Sequence, residues 1–311
     1  LGAAVPRLDG PAKASGKLFD GLFVRHWDTW ADGRMNRLFV ADLGNTPARS
    51  ARLVSGGMLG DIPSKPFGDM SDVAWSPDGQ RLAMSVRPSG QGEPWSTNFY
   101  IWLVGADGGN ARNLTAANKA WDAGPVFSKD GRTLYYRAMK RPGFEADRNA
   151  VMAMDLASGR TREIAPSWDR SPSSLKLSPD GASLYAAAQD TGEYPLFRID
   201  IASGKVDKLV AGGSVSGFAL GGNTLALTRA TMQTGDVAWV ADADGGNLRA
   251  ITPTAAERLP DVRFGEFEQF TFSGADNATV HGYVVKPWNY QAGRKYPVAF
   301  LIHGGPQGSF G

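Results

Sequence analysis

Apolar and polar positions alternate along this chain in short runs, and each run stops at a turn. The stretch Val73-Ala74-Trp75-Ser76-Pro77-Asp78-Gly79-Gln80-Arg81-Leu82-Ala83 recurs in residues 125–135 and again in 175–185, with its serine at 76, 128 and 178. The period is therefore 52 and then 50 residues, and residues 218–225 form a shortened fourth copy. A second pattern interleaves with the first. An apolar run at 100–104 leads into Asp107-Gly108-Gly109 and then Arg112-Asn113-Leu114-Thr115. The same shape returns at 155–164, 200–209 and 242–251, and more loosely at 38–53. Ser76-Pro77-Asp78-Gly79 puts proline where φ is already set and glycine where φ must be positive, which closes a hairpin. Asp107-Gly108-Gly109 closes the other one. Two hairpins per period of about 40–50 residues make a four-stranded unit, the blade of a β-propeller. Residues 18–253 hold about five such blades, and residues 1–17, rich in Ala, Gly, Pro and Lys, read as a lead-in or loop.

After residue 253 the repeat stops. Residues 267–273 and 279–287 read as two strands joined by Gly274-Ala275-Asp276-Asn277. Tyr296-Pro297-Val298-Ala299-Phe300-Leu301-Ile302 is apolar on both faces, as a strand inside a parallel sheet must be. It breaks into His303-Gly304-Gly305-Pro306. Such a turn after the third strand of an α/β-hydrolase supplies a backbone N–H to the oxyanion of a tetrahedral intermediate. Pro306 has no N–H, so the expected donor is Gly305, with Gly304 allowing the close approach. The fold expected is mainly β: a β-propeller of about five WSPDG-type blades at 18–253, then a linker and the truncated N-terminal part of an α/β-hydrolase domain at 254–311.

Blade topology places the 76–79 and 107–109 types of turn on one face. Loops between second and third strands, together with the blade-to-blade connections, lie on the other, where the hydrolase part must begin. That second face receives the longer loops 27–36, 88–97, 140–148 and 190–195, which carry Trp27, Asp28, Trp30, Glu93, Trp95, Glu145, Asp147, Arg148, Glu193 and Tyr194. Loops held by a rigid scaffold commonly carry binding residues. A free α-ammonium in a partly dry site needs carboxylates to replace its hydration. Glu93 and Glu145 are the first candidates and Asp147 the next, each open to the alternative of an ordinary surface carboxylate or a salt bridge to Arg141 or Arg148. Trp95 is a candidate wall for a side-chain pocket, or a packing residue between loops.

Charge and composition narrow the chemistry. With 33 basic against 31 acidic residues, the net charge of +2 gives no electrostatic reason to expect nucleic acid or an anionic membrane as partner. No cysteine is present, which removes disulfides, thiol catalysis and thiolate metal sites together. The three histidines show no metalloprotease spacing. Asp242-Ala243-Asp244-Gly245-Gly246 lacks the later ligands of a calcium loop, so neither metal nor cofactor is expected. No apolar stretch approaches the roughly 18 residues of a membrane span, and residues 1–4 have no signal-peptide regions. No G-x-S-x-G occurs, and Gly212-Gly213-Ser214-Val215-Ser216-Gly217 is a near miss between blades. His26 and His303 precede any nucleophile, whereas the hydrolase order is Ser, then acid, then His.

Residues 303–311, after the WSPDG-type repeat, resemble the oxyanion segment of the prolyl oligopeptidase family of serine peptidases, in its bacterial dipeptidyl peptidase and acylaminoacyl-peptidase branch. The resemblance implies an enzyme that releases dipeptides or acylated residues from the N-termini of short peptides through an acyl-enzyme. Its propeller would restrict entry to flexible peptides. The chain alone should be inactive, because Ser, Asp and His would lie beyond Gly311, on a continuation or a separate fragment of the same polypeptide. The bacterial branch implies a periplasmic or secreted location, with cytoplasmic relatives as the alternative, and a homo-oligomer remains open. A Tol-like binding module and a propeller-bearing esterase are the competing readings. The turn at 303–311 separates the first of these from a peptidase, and substrate separates the second.

Overall fold

The computed structural model describes residues 19, 22–44, 47–65, 68–90 and 92–304. The chain divides into two compact units, Leu1–Pro166 and Ser167–Gly311. The repeat pattern is realised as four-stranded antiparallel sheets, each with its strands hydrogen-bonded in chain order. The first unit holds two complete blades. One is built from Val73–Trp75, Arg81–Val86, Tyr100–Gly105 and Arg112–Asn113, the other from Asp122–Phe127, Thr133–Ala138, Ala150–Asp155 and Thr161–Glu163. The second unit holds two more. They comprise Pro172–Leu177, Ser183–Ala188, Leu196–Asp200 and Val206–Val210, then Ser214–Gly221, Thr224–Thr231, Thr234–Asp242 and Arg249–Ala250. This is a β-propeller chain with four complete blades among the described residues. Where the loose fifth copy was expected, the described residues form the two-stranded pair Phe39–Val40 and Arg52–Leu53, preceded by a small hairpin of Arg25–His26 and Thr29–Trp30.

The serine turns show why their sequence repeats. Ser76 Oγ donates to Asp78 Oδ1 (2.5 Å), receives Arg81 N–H (2.9 Å), and Asp78 Oδ1 also receives Gln80 N–H (3.0 Å). Gly79 closes the turn at φ 68° and donates to the Ser76 carbonyl (2.9 Å). Ser128–Asp130 and Ser178–Asp180 repeat the same bond at 2.6 and 2.5 Å. A short polar side chain therefore does at each turn what backbone pairing does within the strands. The segment at 242–246 is another such closure: Asp244 Oδ1 accepts Gly246 N–H (2.9 Å) and Asp242 Oδ2 accepts Asn247 Nδ2 (2.6 Å). Among the described residues no group of three or more potential metal ligands comes together.

Neighbouring blades within a unit share a core. Ala83, Ile101 and Leu103 of one blade pack with Phe127, Leu134, Tyr136 and Met154 of the next. In the second unit Tyr185, Leu196 and Val210 pack with Val215, Phe218, Leu225 and Leu227. Each fully buried leucine contributes roughly 1.5–3 kcal/mol, so blade-to-blade burial is the main cohesive term. Central strands such as Arg81–Val86 are buried on both faces, which explains their near-continuous apolar sequence.

Beyond the blades a single-turn helix, Ala255–Arg258, starts at a Thr254–Glu257 capping box. The hairpin Phe267–Ser273 with Thr279–Val285 then forms in full register. The third expected strand does not. Residues 297–302 join no strand among the described residues, and Val298, Phe300, Leu301 and Ile302 are 75–86% exposed. An apolar run reports that both its faces are to be covered, but strand structure needs hydrogen-bonding neighbours, and the two strands at hand pair with each other. Tyr296 is anchored only locally, its ring 5.5 Å from that of Tyr290 and its hydroxyl accepting Gln291 N–H (2.9 Å).

Candidate functional site

Each complete blade places its serine turn between strands one and two. In the first three, the longer loops lie between strands two and three, at 87–99, 139–149 and 189–195. In the first of these, Glu93–Trp95 form a single 3-10 turn with Pro94 at its second position, so the turn carries both Glu93 and Trp95. Trp95 is 80% exposed, so it does not pack the loop from within. Glu93 is half-buried beside Arg87, with Arg87 Nε 3.8 Å from Glu93 Oε1. Burial pushes the Glu93 carboxyl above its ordinary value, and the Arg87 charge offsets part of that rise.

The second loop separates the other two candidates. Asp147 Oδ2 accepts the N–H groups of Lys140 and Arg141, both at 2.7 Å, and Oδ1 accepts that of Arg148 at 2.9 Å. Burial raises its carboxyl, but these three donors outweigh burial and hold it below the ordinary carboxylate value. The oxygens of Asp147 thus shape the loop. Glu163 braces the same loop by pairing with Lys140 and Arg148. Glu145 is exposed and has no ion pair among the described residues. The expected alternative of a bridge to Arg141 is not formed, since the Arg141 guanidinium lies 4.3 Å from the Phe144 ring centre. A bond between loops joins the two blades: Gly143 N–H donates to Thr97 Oγ1 (2.9 Å). Glu93, Trp95 and Glu145 therefore belong to one connected loop surface, while Asp147 is part of its frame.

The third loop lies in the second unit. Asp190 is gripped by Arg170 (2.8 Å) and Lys208, and the Lys208 hydrogen bond first, then Arg170, hold its carboxyl low. Thr191, next to it, accepts hydrogen bonds from Gln269 and Tyr283 of the hairpin beyond the blades. That hairpin therefore lies on the long-loop side of these blades, as topology led us to expect. Gly304 is exposed with open space around it, and Gly305 and Pro306 lie outside the described residues.

Sequence reasoning missed Arg87, Thr97 and Thr191, which carry no motif and act through geometry across loops. It also missed Asp122, fully buried at the start of an inner strand. One Asp122 oxygen accepts Asn118 Nδ2 (2.8 Å), and burial pushes its carboxyl up to about 6.

The family model for lactonase, a 7-bladed β-propeller, matches residues 109–218. A probable dipeptidyl-peptidase 5 of Emericella nidulans is 33% identical over 324 residues, covering 96% of this chain and 44% of the relative. Dipeptidyl-peptidase 5 of Aspergillus fumigatus is 31% identical over 323 residues with the same coverage. The chain thus spans less than half the length of these relatives. Coverage of 96% is reached only by a match that continues past residue 253 into the hairpin segment. Among solved structures, Pyrococcus horikoshii acylaminoacyl peptidase aligns with a TM-score of 0.57 at 19% identity, over 72% of this chain and 33% of its own. A putative TolB from Agrobacterium tumefaciens aligns at 0.53 and 18%, over 70% and 74%. At such identities these two likenesses speak for the propeller fold alone. With 33% identity over 96% of its length to a relative named a dipeptidyl-peptidase, and with four-stranded blades followed by a hairpin, the chain is a β-propeller segment similar to less than half of these peptidases.

Proposed function

We propose that this chain is the substrate-facing propeller and oxyanion-turn portion of a serine exopeptidase that takes dipeptides or acylated residues from the N-termini of short peptides. The observation that carries the reading is the Glu93 carboxylate: half-buried, in the same turn as the exposed Trp95, with the Gly90 N–H and, at 3.8 Å, Arg87 Nε as its polar neighbours, and with neither oxygen filled as those of Asp147 are. A peptide ammonium arriving there would replace hydration with a charge-assisted bond, which Asp147 with its filled oxygens would not offer. Glu145 is the second acceptor, reachable from the same joined loops. Gly305 N–H, with Gly304 giving access, would stabilise the oxyanion formed as a serine attacks the peptide carbonyl. The chain contains no G-x-S-x-G, so Ser, Asp and His are assigned to the rest of the polypeptide.

The test is to assay the full-length polypeptide on dipeptidyl and N-acylaminoacyl amides, before and after treatment with a fluorophosphonate. Cleavage abolished by stoichiometric labelling supports the reading. No cleavage of either class would favour a Tol-like binding module, and turnover of esters alone would favour an esterase.

A further inference from the structure

The segment after the blades is fastened to them by hydrogen bonds at two places. Within the unit Ser167–Gly311, the Thr191 carbonyl oxygen accepts Gln269 Nε2 at 2.7 Å and the Tyr283 hydroxyl at 3.3 Å. The next residue, Gly192, has φ 95°, and a Cβ there would sit 2.4 Å from the Tyr283 ring, so only glycine admits the contact. The loop is braced from behind. Asp190 pairs with Arg170 and Lys208, Asp190 and Glu193 exchange two backbone hydrogen bonds (2.8 and 3.2 Å), and Tyr194 N–H donates to Gly213 (3.1 Å). A second tie, Gln233 Nε2 to the Gly265 carbonyl (3.0 Å), holds the approach to the hairpin. Between the ties lies a cavity of about 170 Å³, walled by Glu193, Thr231, Gln233, Phe267 and Tyr283.

Apolar burial contributes little to how this hairpin sits, because every residue of Phe267–Ser273 is exposed and in Thr279–Val285 Gly282 and Tyr283 alone are half-buried. Directional bonds to a braced loop contribute more. We propose that Gln269 and Tyr283 are positioning residues: through the Thr191 carbonyl they set the segment leading to the glycine turn against the loop-bearing side of the blades. A peptide lying along the 189–195 loop of the same unit then meets the segment that leads to that turn in one fixed position. The proposal rests on the function given above.

In the full-length polypeptide, the double variant Gln269→Ala/Tyr283→Phe should lower kcat/KM on a dipeptidyl amide about tenfold, the loss expected of two modest hydrogen bonds. Hydrolysis of p-nitrophenyl acetate, which is too small to reach the loops, should change by less than about twofold. Equal losses on both substrates, or no loss on either, would overturn the proposal. If the wild type hydrolyses neither substrate, the functional reading fails separately. Hydrogen exchange on the present chain then tests the docking. The double variant should exchange about tenfold faster across 267–285, with 224–231 unaffected, and identical exchange would overturn the proposal.

Discussion

Arg87 Nε lies 3.8 Å from Glu93 Oε1, while its Nη2 donates to the carbonyls of Glu93 (3.2 Å) and Ser96 (3.3 Å). The guanidinium also lies within 5.7 Å of the Phe23 and Phe99 ring centres. Arg87 is thus committed to the backbone and the aromatic rings of its loop, and it approaches the Glu93 carboxylate without hydrogen-bonding it. An anion left in this condition retains lone pairs for a ligand.

The raised carboxyl of Glu93 gives a pH signature. As pH falls through its elevated value the carboxylate takes a proton and loses its attraction for an ammonium. Activity on free N-termini should therefore fall on the acid side at a pH above the ordinary glutamate value of 4.5. The profile for N-acetylated substrates should lack this limb. The check is kcat/KM against pH for both classes.

Asp122 should cost stability at neutral pH. Its carboxyl is raised from 3.8 to about 6, so the folded state holds the proton more tightly than the unfolded state does, and stability is lost as pH rises between those values. Asp122→Asn keeps an oxygen for Asn118 and removes the charge. It should stabilise by about 3 kcal/mol above pH 6 and show no advantage below 3.8, as read from denaturation midpoints at the two extremes.

Asp147→Ala would leave three loop N–H groups without their acceptor. A loss of about 1–2 kcal/mol is expected, with faster proteolysis within 140–148. Preference for free over acetylated N-termini should persist, because Asp147 shapes the loop without reaching the ligand. A selective loss of that preference would return Asp147 to the binding site.

Gly79 tests the turn chemistry in isolation. Nothing lies within 4 Å of a Cβ placed there, so Gly79→Ala adds only the strain of φ 68°, about 1 kcal/mol. Gly79→Asn should recover part of that loss, since asparagine tolerates the left-handed region. Equal melting points for Gly79→Ala and the wild type would contradict the account of why the repeat keeps its glycine.

The blades were legible because their information is local. Ser76, Asp78 and Gly79 build a turn from residues within five positions of one another, and the same bonds recur at 128 and 178. The run at 296–302 was legible as apolar but not as a strand, because pairing depends on segments far away along the chain. The candidate carboxylates show the same limit. Glu93, Glu145 and Asp147 look alike in sequence, and only loop geometry distinguishes an open acceptor from a filled one. Arg87, the nearest cation to Glu93, was invisible because no periodicity or motif selects it.

The most direct test compares kcat/KM for a dipeptidyl amide with a free N-terminus and for its N-acetylated counterpart, in the full-length polypeptide and its Glu93→Gln variant. Loss of one charged hydrogen bond should reduce the free-amine rate roughly 10- to 100-fold and leave the acetylated rate nearly unchanged. A Glu93→Gln enzyme with the wild-type ratio would contradict the assignment of amine recognition to this loop.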